Sequence, residues 1–251
     1  MPYGLYISSE GAHAQNKRLE VITNNLANVE TVGFKRDLAV FQARFTQAIE
    51  DGQAMPGSES LDDIGGGIMV RETKTDFSPG PFKKTGTWSD VAIKGKGFFT
   101  VRKGEETYLT RAGNFRVTGR GELITQQGYP VLNDSGSPIV VNPAGGPVIV
   151  SPTGQIRQGG ISQNLALMTP KSLGDLVKAG ENLLRPLAEP EPLARDERDV
   201  ASGFLEVSDV QPTTEMVDMI QASRAVEANI KMIQTQDQML GNLFGRLMRT
   251  Q

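Results

Sequence analysis

The sequence has no cysteine and only one histidine and one tryptophan in 251 residues. The first absence excludes disulfide scaffolds, thiolate metal sites and cysteine nucleophiles. The second leaves His13 alone to anchor any imidazole-based triad or metal centre, and without partners beside it in sequence it reads as a surface or interface residue. Charge of one sign is also missing: 26 basic residues face 29 acidic ones, so no nucleic-acid footprint is expected. No window approaches the ~18 apolar residues that a membrane-spanning helix needs. The opening "MPYGLYISSEGAHAQNKRLE" lacks the basic start, apolar core and cleavage site of a secretory signal, so any exit from the cytoplasm is expected to use another route. The glycine runs at 65–67 and 95–97 complete neither a dinucleotide fingerprint nor a phosphate loop, and read as a hinge and a hairpin turn. No catalytic residue, cofactor, metal or small-molecule substrate is expected.

The chain's strongest signal is hydrophobic periodicity at its two ends. Leu5, Ala12, Leu19 and Leu26 recur at heptad spacing, with Ile22 and Val29 in a second row. At the other end Met219, Val226, Ile233, Leu240 and Leu247 form a heptad seam, flanked one turn away by Met216, Ile230 and Phe244. Thr213 and Thr214 are expected to cap this second helix, which from about Glu215 to Met248 would be roughly 50 Å long. A lone helix with such a stripe is marginal, so the seam needs an apolar partner, and the N-terminal stripe is the candidate. The apolar positions left over imply contacts with other subunits.

Between the ends the texture changes. Residues 38–49, "LAVFQARFTQAI", read as helical with Leu38, Phe41, Phe45 and Ile49 on one side. Residues 55–67 read as a loop. From Val91 to Met168 short β-rich runs such as "VAIK", "FFTV", "TYLT" and "FRVT" alternate with turn signals, which indicates a compact β-domain. Trp88, Phe98, Phe99, Tyr108 and Phe115 are expected in its core, and "NDSG" at 133–136 as a hairpin turn. The stretch "RPLAEPEPLARDERD" at 185–199 reads as an exposed connector. The fold class is α+β: a discontinuous N- and C-terminal helical coiled-coil domain plus a mainly antiparallel β middle. The boundaries are 1–50 for the N-terminal helix and junction, 51–75 for a linker, 76–205 for the β-domain and 206–251 for the C-terminal helix.

The first helix gives way to "NNLANVETVGFKR", in which Asn24, Asn25 and Asn28 compete for backbone hydrogen bonds and Gly33 permits a helix-ending conformation. With its preceding residues, "VITNNLANVETVGFKR" (21–36) resembles the N-terminal signature of the bacterial flagellar rod and hook axial proteins, whose TxGFK element is here Thr31, Gly33, Phe34 and Lys35. "DVAIKGKGFFTV" (90–101), "YLTRAGNFRVTGRGELITQQGYPVL" (108–132) and "GFLEVSDVQPTTEMVDMIQASRAVEANIKMIQTQDQML" (203–240) continue the resemblance in the family's order. Asp209 and Val226 depart from the usual asparagine and tyrosine.

The resemblance implies a structural subunit of the flagellar basal-body rod, most similar to the proximal-rod type, with distal-rod or hook-type subunits as the alternative. It implies polymerisation through the terminal helices into a torque-transmitting shaft. Delivery would be through the flagellum's own export apparatus to the periplasmic rod, without a cleaved signal peptide. Expected partners are copies of itself and other rod proteins, with surrounding ring proteins as further candidates. The assembly seam is then Leu5, Leu19, Ile22, Leu26, Met219, Val226, Ile233, Leu240 and Leu247. The junction is Asn24, Asn25, Asn28, Thr31, Gly33, Phe34 and Lys35. Two readings from other classes stay open: a β-rich binding module on a coiled-coil stalk, and a cell-wall-cleaving enzyme.

Overall fold

A computed structural model describes residues 3–43, 65 and 67–247. The chain divides into two compact units, each interrupted in sequence. Unit 1 takes the described residues of Met1–Ala27, Arg36–Asp76 and Val210–Gln251, and unit 2 takes Asn28–Lys35 and Phe77–Asp209. The α+β class holds, with the α-helices at the two ends of the sequence and antiparallel strands between.

Unit 1 contains helix α1 (Tyr3–Ala27), strands β1 (Asp37–Ala43) and β2 (Ile68–Thr75), and helix α2 (Pro212–Leu247). The helical expectation for 38–49 fails over its described part. Leu38 and Phe41 fit helical spacing, but β-branched Ile68, Val70 and Thr73 supply an antiparallel partner from Asp37↔Thr75 to Ala43↔Ile68, with a bulge between Val40 and Phe41. Phe45 and Ile49 lie outside the described residues. The expected linker 51–75 likewise contains β2.

Helix α2 begins at Pro212, whose fixed φ and missing N–H suit a first helical position. Thr213 and Thr214 therefore sit inside the first turn and do not cap it. Glu215 is also in that turn, where the helix dipole favours its charge.

Unit 2 contains β3 (Phe82–Lys84), β4 (Val91–Ile93), β5 (Phe98–Lys103), β6 (Glu106–Thr110), β7 (Arg116–Val117), β8 (Leu123–Ile124), β9 (Ile149–Val150), β10 (Gln155–Gln158) and β11 (Ile161–Asn164). It continues with β12 (Leu167–Thr169), β13 (Leu176–Gly180), β14 (Leu183–Pro186), β15 (Glu191–Pro192), β16 (Val200–Ser202) and β17 (Phe204–Glu206). The largest sheet has the order β13-β14-β6-β5-β12-β15.

Its core is built on Phe99, Val101, Leu123, Val131, Ile139, Leu165 and Leu167, with the rings of Phe99 and Phe115 meeting edge-on at 5.1 Å. Trp88 and Tyr108 pack against it in partial burial. Backbone segments approach so closely that a Cβ on Gly113 would lie 1.6 Å from the Val91 carbonyl oxygen, which only glycine avoids. In the "NDSG" turn the Asn133 Oδ1 accepts from the Ser135 and Ser137 N–H groups.

The proline-rich stretch 185–199 is not a free connector. β15 pairs with β12, Leu193 is buried in the core, and the Arg198 guanidinium donates to the Leu165 and Leu193 carbonyls while pairing both oxygens of Asp134 at 3.2 Å. Composition marked this segment as solvated, but one leucine and one arginine with a partner distant in sequence fix it.

Candidate functional site

Within unit 1, α1 and α2 pack antiparallel. Arg18 Nη2 lies 3.3 Å from Asp218 Oδ1, while a Cβ on Gly11 would meet Asn229 Oδ1 at 3.1 Å and one on Gly4 would meet Gln236 Nε2 at 2.6 Å. Two glycines inside a helix cost about 1 kcal/mol each relative to alanine. Here they let long amide side chains of α2 lie against the α1 backbone.

The face of α1 that is buried carries Ser8, Ala14, Val21, Ile22 and Asn25. Of the expected seam on α1, Ile22 is therefore buried, whereas Leu5, Leu19 and Leu26 lie on the flank, half-buried. On α2 the expected row of Met219, Val226, Ile233 and Leu240 is half-buried, and Leu247 is the helix's last residue. A second row, Glu215, Ala222, Asn229 and Gln236, completes the seam, with Glu215 and Ala222 fully buried. Hydrophobicity gave no signal for that polar row.

The outward apolar residues are correspondingly many. Met216, Val217, Ile220, Ile230, Met239, Leu243 and Phe244 on α2 are 44% to 60% exposed. Large side chains therefore line the outside of this helix pair, and small or polar ones much of its inside. His13 is exposed on α1.

Asn25 closes the lower end of unit 1. Its side-chain amide is 1% exposed, donates through Nδ2 to the Asp37 carbonyl at 2.8 Å and accepts through Oδ1 from the Asp37 N–H at 2.9 Å. One side chain thereby ties the last turn of α1 to the first residue of β1. Beside it, Arg36 Nε stands 2.8 Å from the buried Glu215 carboxylate. An open cleft of about 330 Å³ runs past these groups, bordered by Val21, Ile22, Leu38 and Phe41. Among the described residues no group of three His, Cys, Asp or Glu side chains is placed to hold a metal ion.

The rest of the junction belongs to unit 2. Asn24 is exposed and Asn28 half-buried, and a turn is formed in which the Thr31 N–H donates to the Asn28 carbonyl and the Thr31 hydroxyl to the Asn28 side chain. Gly33 lies beyond that turn, so its positive φ of 68° does not end α1. It lets the backbone press against Ala112, whose nitrogen would be 2.5 Å from a Cβ at this position. Phe34 is buried under the Lys178 ammonium, 4.3 Å from the ring centroid. Lys35 is 3% exposed and donates to Glu206 Oε1 at 2.5 Å and to the Ser78 carbonyl at 2.6 Å.

Glu206 is the centre of a buried ionic cluster. Its carboxylate faces Lys35 on one oxygen and the Arg111 Nη1, at 3.4 Å, on the other, and it also accepts the Gly80 N–H. Arg111 donates further to the Ile93 and Gly95 carbonyls. Burial lowers the Arg111 pKa below its ordinary value, and the Glu206 charge opposes that shift. Lys35 comes from "GFK", Arg111 from "TRAGNF" and Glu206 from "GFLEV", three blocks far apart in sequence. The convergence was missed in the sequence, where the available signal was one charged residue set among apolar neighbours in each block.

Paired terminal helices, with a β-rich unit carried between them in sequence, define the class of discontinuous helical-plus-β structural subunits. Residues 5–35 match the family described as "Flagella basal body rod protein", 92–158 the "Flagellar hook protein FlgE/F/G D1 domain" and 201–245 the "Flagellar basal body rod FlgEFG protein C-terminal". The chain is 34% identical over 235 residues to the flagellar basal-body rod protein FlgF of Caulobacter vibrioides, covering 93% of each chain. It is also 34% identical to the flagellar basal-body rod protein FlgG of Bacillus subtilis and 36% identical to that of Buchnera aphidicola subsp. Schizaphis graminum, with 95% of this chain and 97% of each relative covered. The chain belongs to the flagellar basal-body rod protein family, of the FlgF or FlgG type.

Proposed function

We propose that this protein is a structural subunit of the flagellar rod that polymerises through its terminal helices, with copies of itself and other rod proteins as partners. The observation that carries the reading is the exposed apolar side of the helix pair: α2 turns Met216, Ile230 and Phe244 outward, while Glu215, Ala222, Asn229 and Gln236 share its inner side with the half-buried Met219, Val226, Ile233 and Leu240. Such a surface acquires cover only in an assembly. A heterologous contact that does not close on itself propagates as a helix, which is the form a shaft requires. The Lys35–Glu206–Arg111 cluster gives the middle of the subunit a fixed internal frame, suited to a mechanical rather than a chemical role. Export through the flagellum's own channel and a periplasmic position in the rod belong to the same proposal.

The test uses positions that the isolated chain leaves exposed. Ile230→Asp combined with Phe244→Asp should leave the purified protein folded, yet remove it from isolated basal bodies and abolish swimming. Normal motility with the double variant present in the rod would defeat the proposal.

A further inference from the structure

We propose that unit 2 carries a recognition site for a Thr-Val-Gly-Phe-Lys segment, filled here by the chain's own residues 31–35 and able to release them without unfolding. The inference does not depend on the rod reading.

Three consecutive residues are read by different means. At Gly33 the site demands the absence of a side chain, because of the positive φ and the contact with Ala112. At Phe34 it offers a buried place beneath an ammonium group, and at Lys35 a buried carboxylate with a carbonyl beside it. The segment's backbone is held as well: the Gly33 N–H donates to the Glu206 carbonyl at 2.8 Å, and the Val32 and Lys35 carbonyls accept from Asn182 Nδ2 and Lys178 Nζ, both at 2.5 Å.

The wall that presents Asn182 is itself unusual. Gly180, Glu181 and Asn182 have φ values of 84°, 53° and 62°, so two non-glycine residues in succession adopt the left-handed region. Glu181 is steadied there by Lys103 at 2.6 Å and by the Tyr129 hydroxyl at 2.7 Å.

Two features make the segment separable. Residues 28–35 contribute no strand or helix, so their departure breaks no sheet pairing. Glu206 also keeps a second cation, because Arg111 is anchored by Ile93 and Gly95 independently of the segment. With Lys35 seated, two cations share one buried carboxylate; with Lys35 withdrawn, Arg111 and Glu206 form a neutral pair. The seated state thus carries one cation in excess, held by hydrogen bonds to the Ser78 carbonyl and to Glu206, and withdrawal leaves no buried charge unpaired.

The experiment uses the full chain carrying Lys35→Glu, which sets a second carboxylate against Glu206. Amide hydrogen exchange at residues 31–35 should accelerate roughly 100-fold while residues 98–110 of β5 and β6 keep their protection. A fluorescent peptide of residues 28–36 should then bind the variant and not the unaltered protein, and the same peptide with glutamate in place of its lysine should bind neither. Unchanged protection at 31–35, or loss of protection at 98–110 together with it, would overturn the proposal, as would a peptide that ignores the opened variant.

Discussion

Asn25→Ala removes both hydrogen bonds that join the end of α1 to Asp37, and the cost follows from their geometry. Each bond contributes about 0.5–1.5 kcal/mol net, so unit 1 should lose roughly 1–3 kcal/mol. That is a change of about 5- to 150-fold in its unfolding equilibrium. The two units can be followed separately, because both described α-helices lie in unit 1 while Trp88, the sole tryptophan, packs on the core of unit 2. In a urea titration the far-ultraviolet circular dichroism transition should move to lower denaturant and the tryptophan fluorescence transition should stay. Asn25→Asp keeps an acceptor for the Asp37 N–H but sets a carboxylate against the Asp37 carbonyl, and should be at least as costly. An unmoved dichroism transition, or equal movement of both, would refute the assignment of Asn25 as the tie within unit 1.

Gly113→Ala should abolish the tryptophan transition, since its Cβ has no room beside the Val91 carbonyl; a wild-type fluorescence curve would show that the close approach is relieved cheaply. Arg36→Ala should destabilise unit 1 more than Glu215→Gln does, because the first leaves a buried carboxylate unpaired whereas the second leaves a 31%-exposed guanidinium that water can reach. The reverse ranking in dichroism-monitored titrations would contradict this. Gly4→Ala should not destabilise the helix pair: helix propensity improves by about 1 kcal/mol, and the three nearest atoms belong to the flexible end of Gln236. A cell-wall zymogram of the purified protein should show no clearing beside an active control, and clearing would restore the enzymatic reading.

The terminal helices were legible in the sequence because heptad spacing of Met219, Val226, Ile233 and Leu240 is a one-dimensional signal. Their facing row was not, since Glu215, Asn229 and Gln236 look like solvent-facing residues until Arg36 pairs the first and a glycine opposite makes room for each of the others. Strands β4 to β8 were legible from turn punctuation. β1 was misread because Leu38 and Phe41 satisfy helical spacing, and its true partner, the charged β2, is distant from it in sequence. Gly33 was marked as a helix-ending residue, a local role, whereas its contact is with Ala112; Lys35 was marked only through the TxGFK resemblance, and its contact with Glu206 had no local signal. Convergence of side chains 171 residues apart leaves no periodicity to read.

The Arg18–Asp218 contact spans 200 residues, and so, in effect, does the whole pairing of α1 with α2. During synthesis α1 emerges first and its partner last. Every residue assigned to unit 2 is made before α2 begins, so the β-rich part has its complete set of contacts while α1 still waits. High contact order of this kind slows closure and leaves the unpaired element available in the interval. The face of α1 that α2 covers is thus the last to be committed, and a factor that engages a nascent or unfolded copy meets that face before its own chain can cover it.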